Sequence, residues 1–254
     1  MTFFKDHPKT IFSMNLSDLL DKESLKSFID FYGTKLKATV PDVVATYFSN
    51  YYGYVISGFL YTMAYNQQVF NLSLSNMEVQ IYYDEQYKVY QLGFKIKDPT
   101  PFLFEENNRE SWRNKQLEVL FKENVTPVIN TFTEVTNVRL RDLWGQMTVS
   151  LYYGHETNLK LANNNEEKEK IKADFKFVTK TLDGSIFNMK KNPFNIQFRM
   201  VESAMDPNVY LRMKPSCCLY YLTEGAENKC FTCPRMSEKE REERRKQLRM
   251  KNNQ

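Results

Sequence analysis

Hydrophobic and polar positions change period several times along the chain, and each change marks an element. Asn15-Leu16-Ser17-Asp18 opens a helix carrying Leu19, Leu20, Leu25 and Phe28. Pro41-Asp42 starts a second, inside a stretch from Val43 to Met77 without a charged residue, where Gly53 and Gly58 mark close packing or a break. Period two follows. Glu78-Val79-Gln80-Ile81-Tyr82-Tyr83-Asp84 alternates, as do Tyr90, Leu92, Phe94 and Ile96, and Asp84-Glu85 between them predicts a hairpin turn. Asp98-Pro99-Thr100-Pro101 closes that unit.

Helical spacing then returns from Trp112 to about Thr136, with Leu117, Leu120 and Phe121 in phase. Leu140, Trp144, Met147 and Leu151 share one face, and so do Ile171, Phe175, Val178 and Leu182 behind an Asn163-Asn164-Asn165-Glu166 start. Ile196, Phe198, Met200 and then Val209, Leu211, Met213 alternate across Asp206-Pro207-Asn208, predicting a second hairpin. Ser237-x-x-Glu240 reads as a capping box for a charged helix with Glu240/Arg244 and Glu242/Lys246 at i, i+4. No internal repeat is visible. The order predicts an α+β fold: a mostly helical body with two antiparallel β-hairpins and a small C-terminal cysteine-rich segment. The expected divisions are residues 1–214, 215–234 and 235–254.

The uncharged stretch raises a membrane question. Val43–Tyr65 has 23 residues, enough to cross a bilayer. It also holds Thr46, Ser49, Asn50, Ser57 and a run of tyrosines, without flanking basic clusters, so a buried helix of a soluble core is the better reading. Met1–Lys9 lacks the apolar core of a secretory signal, which predicts a reducing, cytoplasmic setting. The net charge of +4 resides entirely in residues 235–254, the rest carrying equal numbers of acids and bases. A body so balanced has no nucleic-acid footprint. The basic tail suits solvation, an acidic protein partner or peripheral contact with the inner membrane face; its helix has little apolar face (Leu248, Met250) and does not suit insertion.

All four cysteines, Cys217, Cys218, Cys230 and Cys233, fall within seventeen positions. Thiolates gathered in this way select zinc, copper(I) or an iron–sulfur cluster. Cys230-x-x-Cys233 is a zinc-type knuckle, but the adjacent Cys217-Cys218 is not. Neighbouring residues in extended backbone point to opposite sides, so both reach one ion only through a bend. Two bridged irons offer a larger target, which favours [2Fe–2S] over zinc and leaves both open. A thioredoxin-like dithiol lacks its βαβ setting, and four packing cysteines in so short a span are improbable.

Cys217-Cys218-Leu219-Tyr220-Tyr221 followed by Cys230-x-x-Cys233-Pro234 resembles the FhuF-like ferric siderophore reductases, whose C-C-x(about ten)-C-x2-C set ligates a [2Fe–2S] cluster. Arg212 and Lys214 before the pair look like that family's basic residues, and Leu143-Trp144-Gly145-Gln146 is similar to its Leu-Trp-Gly-Asn element. The spacer here is eleven residues, and Pro215 interrupts the basic run. The resemblance implies cluster ligation by the four cysteines and one-electron reduction of a ferric siderophore, of hydroxamate type. It implies an electron donor such as a ferredoxin or flavodoxin. Arg212, Lys214, Tyr220 and Tyr221 are the candidate substrate contacts; a solvated strand face and simple packing are their plain alternatives. Trp144 belongs to the core on this reading, and Arg139 and Arg141 to an exposed helix face. Two other functions compete: a zinc-stapled binding module with a basic tail, and a non-enzymatic iron–sulfur sensor. With His7 and His155 the only histidines, no hydrolytic constellation is visible.

Overall fold

The computed structural model describes residues 2–104, 108–226 and 228–252. Strands β1 (Thr2–Phe3) and β2 (Thr10–Asn15) lead through a 3-10 turn at Leu16–Leu20 into helix α1 (Lys22–Leu36). The first expected helix is therefore cut at Asp21. Its carboxylate accepts the Ser24 amide at 2.8 Å and caps α1 as a new start. Helix α2 (Asp42–Tyr65) runs unbroken through the first part of the uncharged stretch and ends at Tyr65. Strands β3 (Gln68–Phe70), β4 (Met77–Asp84), β5 (Val89–Ile96) and β6 (Pro101–Leu103) follow.

β4 and β5 form the expected hairpin, with Met77 opposite Ile96 and Asp84 opposite Val89. β2 pairs antiparallel with β4 and β1 parallel with β5, giving a four-stranded sheet ordered β1-β5-β4-β2. The chain continues through α3 (Arg109–Val119) and α4 (Thr126–Val135), joined by a π turn at Leu120–Val125. Pro127 has no N–H to give Glu123, and the helix widens just before it. Then come α5 (Leu140–Leu161), α6 (Asn165–Lys176), the short hairpin β7 (Met200–Glu202) and β8 (Tyr210–Arg212), and α7 (Glu238–Asn252). The fold is α+β and mostly helical, as the pattern predicts.

α2 lies against α5 at the centre. A Cβ on Gly53 would stand 2.6 Å from the Met147 carbonyl, so this glycine sets how closely the two helices approach. Gly58 meets nothing and breaks nothing. The sheet packs its apolar face onto α2 through Phe94, which contacts Phe48 and Tyr52. Trp144 is fully buried between Phe187 and Phe194, its indole N–H donating to the Phe187 carbonyl at 3.1 Å. Asp174, also fully buried, is gripped by both guanidinium nitrogens of Arg109 at 2.8 and 2.6 Å. No helix among the described residues is long and apolar enough to cross a membrane. A second apolar cluster, Val43, Cys217, Leu219, Cys233 and Met236, seats the cysteine segment on the start of α2.

Candidate metal centre

The cysteine pair is held by its backbone from two helices. Ser216 donates its hydroxyl to the Asp142 carbonyl at 2.6 Å. The Gln146 amide donates to the Ser216 carbonyl at 2.7 Å and to its hydroxyl at 3.0 Å. From α2, Thr46 donates to the Cys218 carbonyl at 2.8 Å. Gly145 makes this approach possible, because a Cβ there would stand 2.7 Å from the Ser216 oxygen. The Leu-Trp-Gly-Gln element thus fills the core with Trp144, leaves room at Gly145 and grips the loop with Gln146. Directly after the pair, Leu219 takes a left-handed backbone (φ 58°), an uncommon state for a γ-branched residue. That residue leads the chain from the pair into a 3-10 turn at Tyr220–Leu222. The spacer is then pinned to the α1–α2 connection, Thr39 N–H donating to Leu222 at 2.9 Å and Glu224 N–H to Lys37 at 2.8 Å.

The second loop meets the first through the Lys214 N–H, which donates to the Thr232 carbonyl at 3.0 Å. Cys230-x-x-Cys233 closes with Cys233 N–H donating to Cys230 at 2.9 Å. The four sulfurs form one connected row: Cys217 and Cys233 lie 3.4 Å apart, Cys233 is also hydrogen-bonded to Cys230, and Cys230 to Cys218. Backbone N–H groups of Leu219 and Arg235 donate to the sulfurs of Cys217 and Cys233, each at 3.4 Å. The Cys233 hydrogen bond lowers the Cys217 pKa, and the same bond raises that of Cys233. The bond to Cys230 and burial push the Cys218 thiol well up. Lys214, at 3.8 Å from the Cys218 sulfur, counters that rise; burial disfavours its own charge, yet the neighbouring sulfurs leave its pKa raised.

Among the described residues no three His, Cys, Asp or Glu side chains converge as on a single ion. Four thiols in a row, with N–H···S donors at Cys217 and Cys233 and a lysine at Cys218, make a soft-donor set of the kind that a [2Fe–2S] cluster or a zinc ion takes. Residues 216–235 match the family model of the FhuF 2Fe-2S C-terminal domain. The cysteine segment is of the FhuF type. The match takes in all four cysteines and stops short of the body. No curated protein and no solved structure matches the chain. An iron–sulfur, siderophore-related protein is the conclusion the match carries.

The basic tail turns inward onto the FhuF-type segment. Arg241 is fully buried and donates to the carbonyls of Phe231, of Cys233 at 3.2 Å and of Met236 at 3.1 Å. Its guanidinium and that of Arg245 also lie over the Phe231 ring, at 5.6 and 5.9 Å. Arg244 donates to the Lys229 carbonyl, and Arg249 reaches the Glu202 carboxylate at 2.6 Å. The capping box forms in both directions, Glu240 N–H to Ser237 Oγ at 3.2 Å and Ser237 N–H to Glu240 Oε2 at 2.7 Å. Of the two expected i, i+4 pairs, Glu242–Lys246 forms at 3.4 Å, whereas Glu240 turns to Lys229 at 3.2 Å.

The other candidates separate. Of the four substrate candidates, Lys214 brings its side chain to the Cys218 sulfur, while Tyr220 bonds to Cys218 only through its backbone N–H. Arg212 pairs with Glu156 and lies over Tyr152 and Phe198, at 5.9 and 5.3 Å. Tyr220 is exposed, and Tyr221 receives the Arg235 guanidinium at 2.6 Å. Each cysteine of the pair opens on its own pocket. The Cys217 pocket, about 440 Å³, holds Arg139, Arg141 and Arg235 beside Asp42 and Asp142. The Cys218 pocket, about 420 Å³, is walled by Tyr47, Asn50, Tyr51 and Tyr54 of α2. Their i, i+3, i+4, i+7 spacing was the available signal, hidden within a stretch that reads as uniform core.

Proposed function

We propose that the protein is a one-electron reductase of ferric siderophores, with a [2Fe–2S] cluster held by Cys217, Cys218, Cys230 and Cys233. The observation that carries this reading is the gathering of four thiols into one connected row inside a FhuF-type segment, with Cys218 opening directly on a pocket. When bound, such a cluster takes up and passes on single electrons. The chain's own residues hold the four thiols together and aim amide hydrogens at two of the sulfurs. They keep the Lys214 charge where added electron density would be stabilised.

The substrate is a hard Fe³⁺ ion in an oxygen-donor chelate, of hydroxamate type. One electron converts it to Fe²⁺, which binds such ligands less tightly and departs. That electron comes from a separate low-potential carrier, a ferredoxin or flavodoxin, and no proton transfer is needed. His155 does not compete for an acid–base role. Burial against the Phe175 ring, 3.8 Å between centroids, depresses its pKa to about 4 and keeps it neutral. On this reading the protein works in the cytoplasm, downstream of chelate import.

Single-turnover mixing tests the proposal. Anaerobic protein reduced by dithionite and freed of excess reductant is mixed with a ferric tris-hydroxamate and a ferrous-specific chromophore. Reoxidation matched by one Fe²⁺ trapped per electron is expected. A cluster that stays reduced in the presence of the chelate leaves the sensor reading and overturns the reductase.

A further inference from the structure

The Cys218 pocket differs in chemistry from its neighbour at Cys217. Three phenols and Asn50 come from a single face of α2, Gln91 from β5, and Gln146 from α5. Among the described residues its lining has one cation, Lys214, and no carboxylate. Burial raises the phenols of Tyr47 and Tyr51, the latter to about 12, so both keep their protons at neutral pH. Gln146 is fully buried and its Nε2 is committed to Ser216, while its Oε1 has no partner. A buried acceptor left open costs free energy until a donor arrives. By contrast, the Cys217 pocket contains Asp42 and Asp142, and Asp142 already neutralises Arg139 at 2.7 Å.

We infer that the Cys218 pocket is the seat of the chelate, and that it takes an oxygen-coordinated metal complex of near-zero net charge. Hydroxamate oxygens accept from the phenols, an amide N–H of the chelate donates to the open Gln146 Oε1, and the aliphatic arms lie on the tyrosine rings. The metal is thereby held on the Cys218 side of the cysteine pair. A tris-catecholate complex, with three negative charges, meets a single lysine here and pays desolvation that one cation does not offset. The pocket volume lies in the range of small-molecule sites. This inference rests on the reductase reading above for the identity of the ligand.

Redox-inert gallium(III) complexes separate binding from reduction. The holoprotein is titrated calorimetrically with gallium tris-hydroxamate and gallium tris-catecholate, with ferric reduction followed in parallel. Tyr54→Ala is the main variant, because Tyr54 is 43% exposed and its loss leaves the core intact. Lys214→Gln is the second, with its visible spectrum as the check on the metal centre, and Arg141→Ala probes the other pocket. The tris-hydroxamate is expected to bind, to weaken about tenfold in Tyr54→Ala, the worth of one hydrogen bond and its packing, and to be unchanged in Arg141→Ala. Tighter binding of the catecholate, or weakening by Arg141→Ala alone, overturns the assignment while reduction by the wild type keeps the reductase reading. Binding with the expected variant pattern but no reduction does the reverse. Neither binding nor reduction overturns both.

Discussion

Arg241→Met would remove the one buried charge that ties the C-terminal helix to the cysteine loop. The side chains are similar in length, so the change tests hydrogen bonds more than packing. Arg241 supplies donors to three backbone carbonyls, of Phe231, Cys233 and Met236. Charge-assisted bonds are worth about 1.5–3 kcal/mol each when made, and each carbonyl left buried without a donor costs about 1–3 kcal/mol. Partial rehydration of an edge loop recovers some of this, leaving about 3 kcal/mol. The other ties of α7, Arg244 to the Lys229 carbonyl, Glu240 to Lys229 and Arg249 to Glu202, involve side chains less buried than Arg241. The loss therefore appears as local opening of the loop and helix, not as global unfolding. Amide hydrogen exchange would accelerate about a hundredfold in residues 229–236, the factor that 3 kcal/mol implies. Exchange in α2 and α5 would stay as in the wild type, and the visible chromophore would bleach faster in air. Arg241→Lys should recover only part of the protection, since an ammonium cannot serve three carbonyls in a fork. Unchanged exchange in residues 229–236 of Arg241→Met would refute this role for the arginine.

Gly145→Ala places a methyl 2.7 Å from the Ser216 oxygen, displacing the cysteine pair. Metal content after anaerobic purification should fall well below wild type, with an overpacking cost of about 1–3 kcal/mol in the melting curve. Asp174→Ala leaves Arg109 and the buried Arg113 without their carboxylate and should cost about 3–5 kcal/mol in denaturant titration. His155 is neutral when folded and binds a proton more readily when unfolded. Its contribution to stability is full above pH 6.5, declines as pH falls and is lost below about 4. The wild-type melting temperature should drop across that window, by about 1 kcal/mol equivalent after allowance for solvent screening, and His155→Phe should flatten the drop.

The parts of the molecule that were legible in its sequence share a local cause. The β4–β5 hairpin alternates over eight residues per strand, and the capping box at Ser237 and Glu240 is a contact within one turn. The cysteine set was readable because its chemistry is encoded in residue type and spacing alone. What stayed hidden depends on distant partners. A row of arginines looks the same whether it faces solvent or, like Arg241, the carbonyls of the preceding loop. Gln146 grips Ser216 across seventy residues, which no local pattern shows. Tyr47, Asn50, Tyr51 and Tyr54 form a polar stripe, but within an uncharged helix whose remaining faces are core it did not stand out. Strands of two or three residues, such as β1, β3 and β6, are too short for any period.

The proposed centre is a two-iron cluster held by the four gathered thiolates. Iron, zinc and acid-labile sulfide measured on one anaerobically purified sample, beside its visible spectrum, test it directly. The account predicts a brown protein with about two irons and two sulfides per chain, bleached by dithionite. A colourless protein with one zinc per chain, unable to take up iron and sulfide on reconstitution, would contradict it and leave a zinc-stapled module in its place.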